Sequence, residues 1–325
     1  MTLRKSIAES AITLPTMVII AIVAWALTSP TDPLSWVGLG LTLCTTFVMM
    51  EWNNVFQLLH IRSRLTSTSF LAMVTATPLL HAFEPSMVAA LALLACYFLL
   101  FLTYQQTHGE GHTYYAFLCL SVGCAIFPPL LLSVPLLWTA MGVYLRSLTP
   151  RTLIASLLGL LTPLWLGLAA ACVSDSAWAW VQDAVTAQWN AYVGWHILDA
   201  YYVAPLDFVR SHLPWLVTLL LVGLLTICGV SHYRRSAFRD KIRTRMYFRL
   251  LTLQIPLAVG FIVCYPDVPT LTLRLLLVTL APFVAHYFAH ARGRGADRWF
   301  VVCIGLLILH FLAYTLDLWT YCNCW

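Results

Sequence analysis

The chain has 325 residues, of which 61% are hydrophobic and only 10% are charged, and its formal net charge is +5. Soluble domains carry about 25% charged residues, so this composition excludes a soluble globular protein. It indicates an all-α polytopic transmembrane helical bundle, with nearly the whole chain in or at the bilayer. Because no shift in composition marks a separate soluble domain, we expect residues 1–325 to form a single integral membrane domain.

Apolar runs long enough to cross a bilayer follow one another along the chain. They predict about eleven spans, at roughly 11–29, 35–50, 68–83, 86–104, 114–128, 129–145, 152–173, 214–231, 247–265, 268–288 and 299–318. Pro128 and Pro129 stand where the fifth predicted span meets the sixth. Residues 114–145 are therefore either two spans or one broken span with a re-entrant piece.

The basic residues are distributed unevenly among the predicted loops. If the N-terminus is cytoplasmic, all of the 18 Lys and Arg except Arg210 and Arg274 fall on the cytoplasmic side. The positive-inside rule then predicts a cytoplasmic N-terminus and a periplasmic C-terminus. The most basic loop, 232–246, attracts anionic headgroups by about 1 kcal/mol per basic residue. The net charge therefore requires no nucleic acid to explain it.

Residues 174–213 form the one long external segment. Its aromatic and aliphatic residues recur at steps of three and four, at Trp178, Val181, Val185, Trp189, Tyr192 and Trp195. This period predicts an amphipathic helix over 177–196 that lies in the membrane interface, with its indole rings at headgroup depth. The segment is either a structural belt or a lid over an external site, and in the second case Trp189 and Trp195 contact substrate.

Two charged residues are the candidates for chemistry on the external side. Asp32 lies in a loop between two prolines, where it could act as a general base or simply shape the turn. Arg274 is the one basic residue inside an apolar run, and a guanidinium there suits phosphate binding. An ion pair between Arg274 and Asp267 is the structural alternative.

A polar segment, EWNNVFQLLHIRSR, follows the second predicted span at residues 51–64. It is typical of a short interfacial helix whose charges set the membrane topology. The alternative is a polar site at the mouth of the bundle, in which Asn54, Arg62 and Arg64 bind substrate.

Histidines recur in two cytoplasmic positions. His286 and His290 are four residues apart and share a helical face, and His108, Glu110 and His112 alternate with glycines. Both patterns resemble the histidine-rich sites of membrane di-iron oxidases, which need about eight clustered histidines and often adjacent pairs. The chain has no His-His pair, so the sequence favours interfacial histidines, with no metal and no cofactor.

Three stretches carry a family resemblance. They are the Arg-Ser-Arg turn before a proline-containing span at 61–83, the block 114–165 with Gly-Leu-Leu-Thr-Pro at 159–163, and the pair DKIRTRMYFR and APFVAHYFAHARGRGADRW. This pattern resembles an uncharacterised multi-pass inner-membrane family of Bacteroidota with a domain of unknown function. The resemblance implies an envelope of the Gram-negative type and supplies no catalytic residues. The block 120–165 is also similar to polyprenyl-phosphate-dependent membrane glycosyltransferases.

These observations favour a polytopic inner-membrane protein of unknown biochemical role in cell-envelope biogenesis. Three alternatives stay open: a lipid-linked glycosyltransferase, a transporter or lipid flippase, and a non-catalytic membrane subunit of a complex. The first needs an external carboxylate such as Asp32 beside an aqueous cavity, and the second needs internal repeats. The expected partners are membrane lipids, among them anionic or polyprenyl-phosphate lipids, and other membrane subunits.

The charge bias makes a testable prediction about topology. A reporter fused after Trp325 is expected to be active only as a periplasmic enzyme, because an odd number of spans places the two ends on opposite sides. A fusion after Lys241, in the basic loop, is the cytoplasmic control. Cytoplasmic activity of the tag at Trp325 would contradict the predicted number of spans.

Overall fold

The computed structural model of the chain describes residues 3–10, 12–59, 63–106, 108–172, 175–192, 213–266, 268–291 and 293–316. Helices account for 86% of the structure, and no strand occurs in these ranges. The predicted all-α class is therefore confirmed.

The helices are numbered here in chain order. They are α1 Leu3–Glu9, α2 Thr13–Thr28, α3 Pro33–Phe56, α4 Leu65–Thr75, α5 Ser86–Leu102, α6 Glu110–Ile126, α7 Ser133–Ala140, α8 Pro150–Ala171, α9 Asp175–Tyr192, α10 Leu213–Ser236, α11 Ile242–Cys264, α12 Pro269–His290 and α13 Arg294–Thr315. Short 3-10 turns occupy Pro78–Leu80, Pro128–Leu132 and Ala237–Arg239, and a π-helical turn occupies Met141–Leu145.

Within the described ranges, 7 helical stretches are long and apolar enough to cross a membrane. They are Pro33–Phe56, Pro128–Leu145, Pro150–Ala169, Leu213–Arg239, Ile242–Cys264, Pro269–His290 and Arg294–Thr315. The fold is thus compatible with a multi-pass membrane protein. The other predicted spans are also helical but short, with 16, 11, 17 and 17 residues in α2, α4, α5 and α6. The number of about eleven spans is therefore not confirmed.

Residues 114–145 form two helical pieces separated at Phe127. Helix α6 ends at Ile126, and Phe127 adopts φ −136°, which is outside the helical region. Pro128 and Pro129 then begin the second piece. The first backbone N–H groups of a helix have no partner within the helix, so proline breaks no helical hydrogen bond there. This piece ends at Arg146, whose φ of 52° is left-handed and closes the helix.

The described residues cluster into two compact units. Unit 1 draws on residues 1–87, 201–245 and 276–325, and unit 2 draws on residues 88–200 and 246–275. The chain therefore passes from one unit to the other several times, and helices α11 and α12 each begin in one unit and end in the other. That residues 1–325 form a single integral membrane domain stays a prediction.

Helices α6 and α8 of unit 2 pack closely against each other. A Cβ atom added to Gly159 of α8 would overlap the carbonyl oxygen of Tyr114 and lie 3.2 Å from the Cβ of Phe117. The Tyr114 hydroxyl also lies 3.1 Å from Oγ1 of Thr162. Small residues that let two backbones approach are typical of helix packing in membranes.

Gly159→Val is therefore expected to destabilise unit 2. Gly167 lies on the same helix and has no atom within 4 Å of an added Cβ, so Gly167→Val is the matched control for helix propensity. We expect Gly159→Val to lower the thermal unfolding midpoint of the detergent-solubilised protein more than the control does, by an overpacking cost of about 1–3 kcal/mol. Equal midpoints for the two variants would contradict the close approach of α6 and α8.

Candidate functional site

The helices of unit 1 run in two directions, and this defines two ends. Arg4 of α1 contacts Asp297 in the first turn of α13, whereas Phe311 near the end of α13 has its ring centroid 6.4 Å from that of His81. Ser69 of α4 donates a hydrogen bond to the carbonyl of Ala281 at 3.2 Å, halfway along α12. The Arg4 end therefore holds the starts of α1, α2, α4 and α13 and the last turns of α10 and α12. The His81 end holds the last turns of α2, α4 and α13 and the first turns of α10.

Arg4 joins three helices at the Arg4 end. The residue is 8% exposed, and its Nε donates to Oδ1 of Asp297 at 2.8 Å. A second guanidinium nitrogen donates to the carbonyl of Phe288 in the last turn of α12. Asp297 lies in the first turn of α13, where a helix dipole favours a carboxylate, and the Phe288 carbonyl is among those that a helix end leaves without a helical partner. One buried cation thus bonds to groups at both helix termini.

A cluster of three metal-ligating side chains lies at the same end of unit 1. His286 of α12 is fully buried, and its Nε2 lies 3.2 Å from Oδ2 of Asp240, which directly follows the 3-10 turn at Ala237–Arg239. His290, one helical turn further along α12, has its ring centroid 4.6 Å from that of His286. One ligand atom from each of the three residues lies within 4.8 Å of the others.

Two residues of α10 border this cluster. The ring centroids of His232 and Tyr233 lie 5.8 Å and 5.1 Å from that of His286. The ring of Tyr287 is 5.1 Å from that of His232, at an angle of 79°. Rings from α10 and α12 therefore lie beside the contact between Asp240 and His286.

Sequence analysis identified His286 and His290 but missed Asp240. The signal was present, because Asp240 is the one acidic residue in the basic segment 231–249. Its side chain is 3% exposed, although the residues around it are charged and mostly exposed. A lone carboxylate inside a basic run is thus the feature that marks this position.

The buried His81 has a structural role at the opposite end. Its ring stacks on Trp25 with centroids 3.6 Å apart, and its Nε2 lies 3.2 Å from the carbonyl of Thr75. Because a carbonyl only accepts, Nε2 carries the proton, and Nδ1 faces the Thr28 hydroxyl at 2.8 Å. Both ring nitrogens are therefore occupied by protein groups.

An apolar groove runs between the two ends of unit 1. It has a volume of about 590 Å³ and is bordered mainly by α2, α4 and α13, with Leu225, Val284 and Phe288 at its floor. Its lining extends along α2 from Thr13 to Leu27, which at 1.5 Å per residue is roughly 21 Å. The groove reaches the surface, because lining residues such as Ile20 and Ile308 are 50% and 55% exposed.

The hydroxyl groups in the groove lining mostly turn away from it. Thr13, Thr16 and Thr68 donate to the backbone carbonyls of Ile7, Ile12 and Arg64 at 2.7, 2.7 and 2.9 Å. Ser69 donates to the carbonyls of Thr66 and Ala281. The surface that the groove presents to an occupant is therefore hydrocarbon along nearly its whole length.

Asp32 caps helix α3. Its Oδ1 accepts a hydrogen bond from the backbone N–H of Leu34 at 3.1 Å, and Pro33 occupies the first helical position. The side chain is exposed and lies beyond the end of α2, at the His81 end of unit 1. Helix capping accounts for this residue, and its role as a general base stays a prediction.

Arg274 lies in the first half of α12 and belongs to unit 2. It is only 4% exposed, so protein encloses the guanidinium and the side chain does not extend into solvent. Asp32 belongs to unit 1, and the phosphate site that combines these two residues stays a prediction.

In the polar segment after the second predicted span, one buried polar side chain is that of Asn53, which is not one of the predicted substrate-binding residues. Asn54 is exposed and donates to Oε1 of Glu51 at 3.3 Å, whereas the neighbouring Asn53 is buried and donates to the carbonyl of Ser63 at 2.8 Å. Arg64 is exposed just before α4, and Arg62 lies outside the described residues. Substrate binding by Asn54, Arg62 and Arg64 stays a prediction.

The prediction that this segment is helical is confirmed over residues 177–192, within α9. Trp178 and Val185 are 46% and 59% exposed, and Trp189 lies in the last turns of the helix. Residues 193–196, with Trp195, lie outside the described part of the chain. The orientation of this helix in the membrane interface and its role as a lid stay predictions.

Comparison of the chain with protein-family models, with curated proteins and with solved structures finds no match. The class of protein is therefore defined by the fold alone. Over the residues that the structure describes, the protein is all-helical and has 7 helical stretches long and apolar enough to cross a membrane, which is compatible with a multi-pass membrane protein.

Asp297→Asn is expected to destabilise unit 1, because the substitution removes the anionic partner of the buried Arg4. The cost should lie between that of an exposed and that of a buried ion pair, about 1–4 kcal/mol. Glu9→Gln on α1 removes the same charge from an exposed side chain and is the control. A lower thermal midpoint for Asp297→Asn than for Glu9→Gln supports the ion pair, and identical midpoints would contradict it.

Proposed function

We propose that this protein is a multi-pass protein of a Gram-negative-type inner membrane that binds a membrane lipid in the groove of unit 1 and acts in cell-envelope biogenesis. The observation that carries the proposal is the groove of about 590 Å³, with its hydrocarbon lining. The resemblance to a Bacteroidota inner-membrane family supports the choice of membrane.

The size of the groove favours a lipid chain. Helices that pack against each other normally interdigitate their side chains and leave no gap of this volume. One leaflet of hydrocarbon is about 15 Å thick, so a groove of roughly 21 Å accommodates a chain through a leaflet and beyond its midplane. Because lipid tails are as apolar as the lining, a tail that fills the groove restores the dispersion contacts that an empty gap loses.

The charge distribution of unit 1 favours an anionic headgroup at the Arg4 end. The helix directions place every described Lys and Arg of unit 1 at that end: Arg4, Lys5, Arg64, Arg234, Arg235, Arg239, Lys241, Arg243, Arg245, Arg294 and Arg298. Lys5, Arg294 and Arg298 are exposed beside the helices that border the groove. Such side chains attract anionic headgroups and bind phosphate oxygens. The same bias supports a cytoplasmic position for the Arg4 end.

The ligand class is therefore a lipid with a phosphate headgroup and one long apolar chain in the groove. Anionic phospholipids and polyprenyl phosphates share this chemistry. The glycosyltransferase, transporter and membrane-subunit hypotheses stay predictions from the sequence.

Ala72→Trp tests lipid binding. Ala72 lines the groove on α4 and is half-buried, so an indole at this position fills the groove. Ala26→Trp is the matched control, because Ala26 is exposed on α2 and does not line the groove. We expect native mass spectrometry of the purified protein to show a retained lipid in the wild type and in Ala26→Trp, and a loss of most of this occupancy in Ala72→Trp.

Two further measurements interpret this result. Reconstitution with zwitterionic lipid alone, with an anionic phospholipid or with a polyprenyl phosphate identifies the headgroup, and we expect retention only of the lipids that carry an anionic phosphate. Equal thermal midpoints of the two Trp variants show that both are folded. Retention of the same lipid by wild type and Ala72→Trp would contradict binding in the groove.

A further inference from the structure

We propose that Asp240, His286 and His290 form a binding site for a divalent first-row transition-metal ion at the Arg4 end of unit 1. The inference goes beyond lipid binding and does not depend on an occupant of the groove. It rests on the identity of the three side chains, on their separations and on their burial.

The spacing on α12 provides two of the ligands. Residues i and i+4 of a helix lie one above the other on the same face, so His286 and His290 direct their imidazole rings to one side. Their ring centroids are 4.6 Å apart. Two histidines at this spacing on a helix are a recurrent pair of zinc ligands.

The third ligand comes from a different part of the chain. Asp240 precedes α11, and its Oδ2 lies 3.2 Å from Nε2 of His286. Two ligand atoms bound at about 2.0–2.1 Å to a tetrahedral zinc ion lie about 3.4 Å apart, so this pair already has the separation that a shared ion requires. The other ligand separations reach at most 4.8 Å, and rotation of the half-buried His290 ring shortens them.

Burial distinguishes this cluster from ordinary surface groups. The side chains of Asp240 and His286 are 3% and 1% exposed. A buried carboxylate loses several kcal/mol of hydration, and a bound dication supplies a compensating charge at short distance. By contrast, the side chains of His108 and Glu110, which are 3.9 Å apart, are 80% and 33% exposed. Water can therefore solvate both of them.

The donor set indicates the kind of ion. Two imidazole nitrogens and one carboxylate oxygen suit zinc or iron(II) and are less suited to calcium or magnesium, which prefer oxygen ligands alone. Three protein ligands leave at least one coordination position for water or for another ligand. The ring of His232 of α10 lies 5.8 Å from that of His286, and among the described residues its Nδ1 has no hydrogen-bond partner.

The test uses the full chain, stripped of metal with a chelator and titrated with Zn²⁺ in competition with a chromophoric chelator. Every protein carries Cys322→Ser and Cys324→Ser, so that these two thiols do not bind the ion. We expect about one Zn²⁺ per chain in this reference protein. Asp240→Asn and His290→Ala are each expected to weaken Zn²⁺ binding by at least about tenfold, because the first replaces an anionic oxygen ligand with a neutral amide and the second removes an imidazole ligand. His112→Ala removes an exposed histidine of α6 and should leave the affinity unchanged.

A second measurement separates loss of the site from loss of the fold. Zn²⁺ that binds only the folded protein raises its thermal midpoint, so we expect an increase for the reference protein and for His112→Ala. No increase is expected for Asp240→Asn or His290→Ala, whose metal-free midpoints show whether they fold. If Asp240→Asn is misfolded, the half-buried position of His290 makes His290→Ala the decisive variant. Zn²⁺ affinities that are equal in the reference protein and in a folded His290→Ala variant would overturn the proposal.

Discussion

Arg4 lies almost entirely out of solvent, and its guanidinium bonds to both Asp297 and the carbonyl of Phe288. This arrangement fixes the last turn of α12 against the first turn of α13 and holds α1 beside them. The groove depends on it, because Phe288 and Ile7 belong to its lining. The histidine cluster depends on it as well, because His286 and His290 flank Phe288 in the same turn. A single buried cation thus positions both features at the Arg4 end of unit 1.

The positions of the helices were predictable because apolar runs and prolines dominate the sequence. Every predicted span overlaps a helix, and the chain breaks where Pro128 and Pro129 follow α6. The number of spans was less predictable, because it depends on the length of each helix. Helix α4 ends at Thr75, and Pro78 begins a separate 3-10 turn, so this apolar run is not one long helix. The hydropathy of the sequence identifies the apolar run but not the residue at which its helix ends.

The candidate sites were less predictable, because they depend on contacts between distant parts of the chain. The spacing of His286 and His290 is visible in the sequence, but the approach of Asp240 requires the turn between α10 and α11 to fold against α12. The groove has no sequence signature at all. Its lining comes from α1, α2, α4, α10, α12 and α13, and Thr13, Thr16 and Thr68 present an apolar surface because their hydroxyls bond to backbone carbonyls. Asp32 illustrates the opposite case, since helix capping is a sufficient reason for a carboxylate there.

The last turn of α12 serves the groove and the histidine cluster without conflict, and helix geometry explains why. Successive residues of an α-helix are rotated by about 100°, so Phe288 points roughly 160° away from both His286 and His290. Phe288 therefore faces the groove while the two imidazoles face Asp240. Its backbone carbonyl points along the helix axis and accepts a hydrogen bond from the Arg4 guanidinium. A lipid chain in the groove and an ion at the cluster would thus contact opposite faces of one turn, whose position the Arg4 guanidinium holds.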